Sequence, residues 1–279
     1  MLGANYICVL DIGSDKIAAS VATLKARQIN SIFFESLPSR GVKDGIIVNS
    51  IDAVGVITKL LKTLKTKSGV NIKFVYTNIS GQDIITKHSR AIMPLAERGN
   101  KVITLSDIQK VNEQARVLGS SLEEEIIHMV PSSYAIDSKS NIANPFGLYS
   151  HRLEVDLYLV CVKLSSVQSL TRVINQSGFE IKELYFSGLV TSKAVLNKNS
   201  EGINLFCDIG SDITELLVFQ DGRLSDIQIM HLGGNGLTRI LSEELKIPFD
   251  LADEIKKSHG GVLLSEATAD DKEILIKKK

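Results

Sequence analysis

Two short stretches of this chain carry the residue types best suited to chemistry. Asp11-Ile12-Gly13-Ser14-Asp15-Lys16 closes an apolar run that begins at Tyr6, and Asp208-Ile209-Gly210-Ser211-Asp212 closes another that begins at Ile203. A second apolar run follows each of them, Ile17 to Val21 and Leu216 to Phe219. Gly13 and Gly210 allow the backbone to turn tightly and to approach a ligand closely. Successive turn amides and serine hydroxyls form a concavity suited to phosphate oxygens. Two such hairpins facing each other would bracket a polyphosphate, with Asp11 and Asp208 partnering, through water, the Mg²⁺ that accompanies it. One copy alone reads as simply as a tight turn whose Asp and Ser bond to neighbouring backbone. The duplication keeps the phosphate reading beside that one, and it points to two related halves.

The elements that must hold these turns alternate between strands and helices. Residues 5–10, 17–23 and 29–37 read as strands. A helix follows, capped by Asn49 or Ser50, with Ile51, Val54, Ile57, Leu61 and Leu64 at helical spacing and Gly69 as its stop. Phe74 to Ser80 reads as a strand. Between 81 and 163 the texture changes to a small α+β module. Its helix is expected to start at Ser106 and to carry Ile108, Val111, Ala115 and Leu118; Glu123-Glu124-Glu125 reads as a solvated turn after it. A strand from Ile126 to Ile136 is interrupted by Pro131, and Ser138 to Ser150 reads as a turn-rich loop. Leu153 to Leu159 alternates as a strand with one wet face should. A helix through Leu170 and Ile174 then ends near Gly178.

Composition narrows the class. The 279 residues hold 32 Lys+Arg against 32 Asp+Glu, with 44% hydrophobic and 23% charged residues, which is globular and offers no basic footprint for nucleic acid. Cys8, Cys161 and Cys207 lie singly in apolar runs, so three buried thiols in a reducing compartment are expected and a zinc site is not. The start of the chain reads as neither signal peptide nor membrane span, and the expected location is cytoplasmic. His128, beside Met129-Val130-Pro131, reads as structural; His88, His151, His231 and His259 fit no metal-ligand spacing. Asn144-Pro145-Phe146-Gly147 is a rigid turn or a contact loop.

Over nearly its whole length the chain resembles the FtsA family of bacterial actin-like cell-division proteins. The resemblance rests on Asp11 to Lys16, Ser39 to Gly45, Asn78-Ile79-Ser80-Gly81-Gln82, Ile127 to Pro131 with Tyr134 to Asp137, Asn144 to Leu148, Ser177-Gly178-Phe179, Gly233-Gly234-Asn235 and Ala252 to Lys256. It implies an α/β, actin-like ATPase fold of two ribonuclease-H-like halves, the second incomplete, with an inserted α+β domain. The implied division is 1–80 plus 164–195 for the first actin-like subdomain, 81–163 for the insertion, 196–246 for the second subdomain and 247–279 for the start of the FtsZ-facing one. It further implies ATP and Mg²⁺ in a cleft between the halves. Asp11, Gly13, Ser14, Asp15 and Lys16 would form one phosphate loop, and Asp208, Gly210, Ser211 and Asp212 the other. Gly233, Gly234 and Asn235 would open a helix whose amides favour anions. Asp253 and Lys256 would stand where related ATPases hold the ribose, or else form an ordinary helical ion pair. Asp11 and Asp208 would be the metal's partners.

The resemblance also implies a role: head-to-tail polymerisation, linkage of the FtsZ ring to later divisome proteins through the inserted domain, and at most slow ATPase activity at the cytoplasmic face of the membrane. Departures set limits on it. The family's Asp-Ile-Gly-Gly-Gly-Thr loop has Ser211, Asp212 and Ile213 at its last three positions here. Asp212 brings a charge toward the phosphates, with repulsion of up to ~4 kcal/mol at 4 Å and an effective dielectric of 20. Ile240 replaces an Asp and Asp253 a Glu. Without the family's later glycine motif and amphipathic helix, membrane contact is expected only indirectly and FtsZ contact is weakened. Ile274 to Ile276 reads as a strand without partners, and Lys277 to Lys279 as a solvated tail. The alternative is a degenerate scaffold that binds partners through the insertion without nucleotide; a pilus-assembly relative and a sugar-kinase-type phosphotransferase are remoter readings.

Overall fold

The structure, a computed structural model, describes residues 6–26, 28–96, 99–137, 139–196 and 201–261. The expected strand at 274–276 and the lysine tail lie outside them.

The first half opens with β1 (Tyr6–Ile12), β2 (Lys16–Lys25) and β3 (Gln28–Pro38), an antiparallel meander. A small hairpin, β4 (Val42–Lys43) and β5 (Ile46–Ile47), leads to α1 (Ser50–Ser68). The Asn49 side chain caps α1 by accepting the amides of Ile51 and Asp52, and Gly69 ends it in the left-handed conformation at φ 68°. Then comes β6 (Phe74–Ile79), which pairs with β1 in parallel. Alternation along β1 sends Cys8, Leu10 and Ile12 to one face, where Ile57, Leu60, Leu61 and Leu64 of α1 bury them.

The insertion consists of β7 (Ile84–Pro94), β8 (Lys101–Val102), α2 (Leu105–Leu118), β9 (Glu124–Ile136), β10 (Lys139–Ile142), β11 (Tyr149–Ser150) and β12 (Arg152–Lys163). Its main sheet runs β10-β9-β12-β7. Four expectations are corrected here. Thr104, not Ser106, caps α2, because Asp107 completes a reciprocal capping box and also pairs with Lys101. Glu124 and Glu125 belong to β9, and Glu124 pairs with Lys87 at 2.5 Å across the sheet. The loop after 138 contains β10 and β11. Finally, β12 has no wet face from Leu157 to Val162. Leu157, Leu159 and Cys161 fill the module's own core, while Tyr158 and Val160 pack against Phe186, Leu189 and Leu217 outside it.

The chain returns through α3 (Leu164–Gln176) and β13 (Glu180–Phe186), giving a first sheet of order β13-β6-β1-β2-β3. α4 (Ser187–Val195) leads across to β14 (Ile203–Ile209), β15 (Thr214–Gln220), β16 (Arg223–Met230), α5 (Gly234–Leu245) and α6 (Phe249–His259). The second meander copies the first down to its turn: Gly13 N–H donates to Lys16 O at 3.1 Å and Gly210 N–H to Ile213 O at 2.9 Å. Among the described residues β14 has no counterpart of β6 beside it and no helix over the matching face. Leu205, Cys207 and Ile209, the positional equivalents of buried Cys8, Leu10 and Ile12, are therefore exposed, Leu205 by 63% and Ile209 by 71%. This corrects the expectation of three buried thiols.

Candidate functional site

The two hairpin turns face each other across one cleft of about 820 Å³. Asp11, Gly13, Ser14, Asp15 and Lys16 line it from the first half, and Asp208, Gly210, Ser211 and Asp212 from the second. Gly234 and Asn235 of α5 and Asp253 and Lys256 of α6 complete that wall. Of the residues singled out in the sequence, Gly233 alone does not line the cleft. It packs behind the second turn, where a Cβ would fall 2.5 Å from Ser211 O and 2.6 Å from Gly210 O.

Asp11 is fixed by Asn78. The Asn78 amide donates to Asp11 Oδ1 and to Ser187 Oγ, both at 2.8 Å, while its oxygen accepts Ile12 N–H at 2.7 Å. Burial raises the Asp11 carboxyl above its ordinary value; Lys16 and Asn78 oppose that shift and Asp208 across the cleft reinforces it. A buried carboxylate with a second one facing it suits a bound cation. Among the described residues no set of three His, Cys, Asp or Glu side chains is placed to enclose a metal directly.

The helix end differs from expectation. Gly234 N–H donates to Gly210 O at 3.0 Å and Asn235 N–H to Ser211 O at 2.7 Å, so these amides brace the second turn and are not free for an anion. Lys256 is likewise engaged: its ammonium reaches Asp253 Oδ1 and Gly234 O at 2.9 Å and Thr238 Oγ1 at 2.6 Å. Hydrogen bonds from Lys257 and Lys256 hold the Asp253 carboxyl at about 2.

The Asp212 carboxylate meets donors from both halves. Asp44 N–H donates to Oδ2 at 3.0 Å and Asn235 Nδ2 to Oδ1 at 2.8 Å, with the Ser14 hydroxyl beside them. Burial pushes this carboxyl up, but Asp44, Asn235 and Ser14, with Lys43 nearby, outweigh it and leave it below its usual value.

Sequence reading missed Glu215, which is 3% exposed on the floor of the cleft. Ser80 Oγ donates to its Oε1, tying the first half to the second, and Oε2 lies against the Gly188 backbone. Burial, reinforced by Asp208 and Asp11, raises its pKa to about 7. Its one sequence signal is a lone carboxylate immediately before the apolar run that follows the second turn. His128, by contrast, is structural as read: Nε2 accepts Phe186 N–H at 2.9 Å, and burial lowers its pKa to about 4.

Residues 81–161 match the family model for the SHS2 domain inserted in FtsA, and residues 205–279 match the model for cell division protein FtsA; together they span more than half of the chain. Cell division protein FtsA of Borreliella burgdorferi is 28% identical over 93% of this chain and 63% of its own length. That of Bacillus subtilis is 27% identical over 94% and 60%, and that of Escherichia coli K12 26% identical over 94% and 62%. The chain thus spans about three-fifths of the length of these relatives. Among solved structures, a PilM–PilN type IV pilus biogenesis complex superposes with a TM-score of 0.61 at 15% identity, covering 91% of this chain and 70% of that one. EutJ of Carboxydothermus hydrogenoformans gives 0.52 at 17% (92% and 63% covered), and MreB5 of Spiroplasma citri bound to ADP gives 0.50 at 12% (94% and 65%). These three share its fold. With the FtsA-type SHS2 module between the strands of an actin-like first half, and FtsA relatives along nearly all of its length, the chain belongs to the FtsA family of cell-division proteins.

Proposed function

We propose that this chain is a nucleotide-responsive scaffold of the division machinery. The observation that carries the reading is the pair of matched hairpin turns, bonded alike through Gly13 and Gly210, on opposite walls of one cleft. The residues suit an adenine nucleotide with Mg²⁺. Asp11 and Asp208 would hold the hydrated ion, Lys16 and Ser14 the phosphates, and Asp253 with Lys256 the ribose end. Bound there, the nucleotide would supply charge that both halves share, and the chain's own part is to orient it and close around it. The MreB5 relative in fold carries ADP, which supports this ligand class.

Closure of the halves would set the geometry for head-to-tail self-association. The inserted module, residues 81–163, would meet other divisome proteins, and residues 247–279 would begin the surface toward FtsZ. The remaining divisions, 1–80 with 164–195 and 196–246, would be the two actin-like subdomains. The work would take place at the cytoplasmic face of the membrane; no helix among the described residues is long and apolar enough to cross one. A second reading, a scaffold that binds proteins through the insertion and takes no nucleotide, is favoured by the α5 amides already spent on the second turn.

Isothermal titration with ATP–Mg²⁺ separates the two. The first reading expects saturable binding that Asp11→Ala weakens at least tenfold. A folded protein giving no heat with any adenine nucleotide would leave the second reading in place.

A further inference from the structure

The second turn departs from the first in what its last polar side chain does. Asp212 projects back across the cleft and is held from both sides. Asp44 N–H belongs to the tip of the β4–β5 hairpin in the first half, and Asn235 Nδ2 to the first turn of α5 in the second. The Ser14 hydroxyl, from the facing phosphate turn, bonds to Asp212 and accepts Gly45 N–H at 3.1 Å. A backbone amide, a side-chain amide and a hydroxyl converging on two anionic oxygens, with a lysine near, are the donor set that recognises a phosphoryl group.

The tip that supplies the Asp44 amide is fixed in place. Asp44 stands at φ 51°, and Gly45, at φ 76°, lies so close to Gly81 that a Cβ would fall 2.9 Å from its Cα. The tip therefore presents that amide to the cleft whether a side chain or a ligand meets it. The Asp212 position is also one where the family's loop has glycine and no side chain. The carboxylate thus adds an anion, from within the chain, at the corner where both halves offer donors.

We propose that the Asp212 carboxylate is a built-in substitute for the terminal phosphate of a nucleoside triphosphate, so that the cleft prefers a nucleoside diphosphate with magnesium. This rests on the reading of the cleft as a nucleotide site and adds to it a determinant of phosphate number. A third phosphate would need the same donors and would meet a like charge there, whereas two phosphates leave the Asp44 and Asn235 bonds to Asp212 intact.

The test is isothermal titration of ADP–Mg²⁺ and ATP–Mg²⁺ into the wild type, Asp212→Gly and Asp212→Asn, with circular dichroism to confirm that each is folded. The wild type is expected to bind ADP at least tenfold more tightly than ATP. Asp212→Gly is expected to erase or reverse that preference through a gain of at least tenfold for ATP. Asp212→Asn, isosteric and neutral, should move ATP affinity in the same direction by less, and it serves if the glycine variant does not fold. Equal or tighter binding of ATP by the wild type overturns the proposal while the nucleotide reading stands, as does a preference unchanged in the variants. If the wild type binds neither nucleotide, the reading of its cleft falls, and the variants decide the rest: acquired ATP binding supports the substitute-phosphate role and silence overturns it.

Discussion

Glu215 shows how much of a site is set by three dimensions rather than by residue type. Its pKa of about 7, against an ordinary 4.5, comes from burial and from Asp208 and Asp11 on the cleft floor. An acid whose folded pKa lies above its unfolded one gives the native state extra protons between these values. Its contribution to stability is therefore full below about pH 4.5 and is lost as pH rises through 7. Glu215→Gln lacks that loss. Relative to wild type it should gain on the order of 2 kcal/mol between pH 5 and pH 8, read from urea midpoints at each pH; an equal offset at both would show that Glu215 does not titrate there. The turn residues Asp11 to Lys16 and Asp208 to Asp212 were legible because their spacing repeats. Glu215 was not, since a strand residue's neighbours across a sheet leave no mark beside it in sequence. The partners of Asp212 were hidden in the same way: Asp44 lies 168 residues away.

At the scale of elements, local signals set most boundaries and tertiary partners corrected the rest. Asn49 and Gly69 bound α1 where residue types alone placed them. For α2 the residue types point to Ser106 as the cap, but Thr104 takes that place because Asp107 bonds back to it and also takes Lys101. Thr104→Ala should cost about 1 kcal/mol of stability, while Ser106→Ala should stay within roughly 0.5 kcal/mol; chemical denaturation of the two variants side by side checks the assignment. The wet face expected of β12 holds at Glu154 and Asp156 and ends at Tyr158 for a related reason. Alternation reports one sheet's two faces, but here the second face is dried by another body: the Tyr158 hydroxyl lies 3.1 Å from Asp226 Oδ1 and accepts Ile227 N–H at 2.9 Å.

For the whole molecule, the repeat of strand, turn and strand announced two related halves, and the insertion stood out by its change of texture. How the insertion docks on the second half was not legible, because Tyr158 and Val160 look like any apolar strand residues. Among the described residues the halves also differ: β1 lies between two strands and under helices, whereas β14 pairs on one side only and leaves Leu205, Cys207 and Ile209 uncovered. That difference turns one cysteine into a reporter. Burial holds the thiols of Cys8 and Cys161 near 12 and 11, leaving almost no thiolate at neutral pH, while Cys207 stands open to solvent. An aromatic disulfide reagent added to the native protein should release one equivalent quickly and the other two only on denaturation; three slow equivalents would mean that β14 is covered. Any polypeptide that later extends the second sheet past β14 would then announce itself in a cuvette, as the fading of that single fast yellow step.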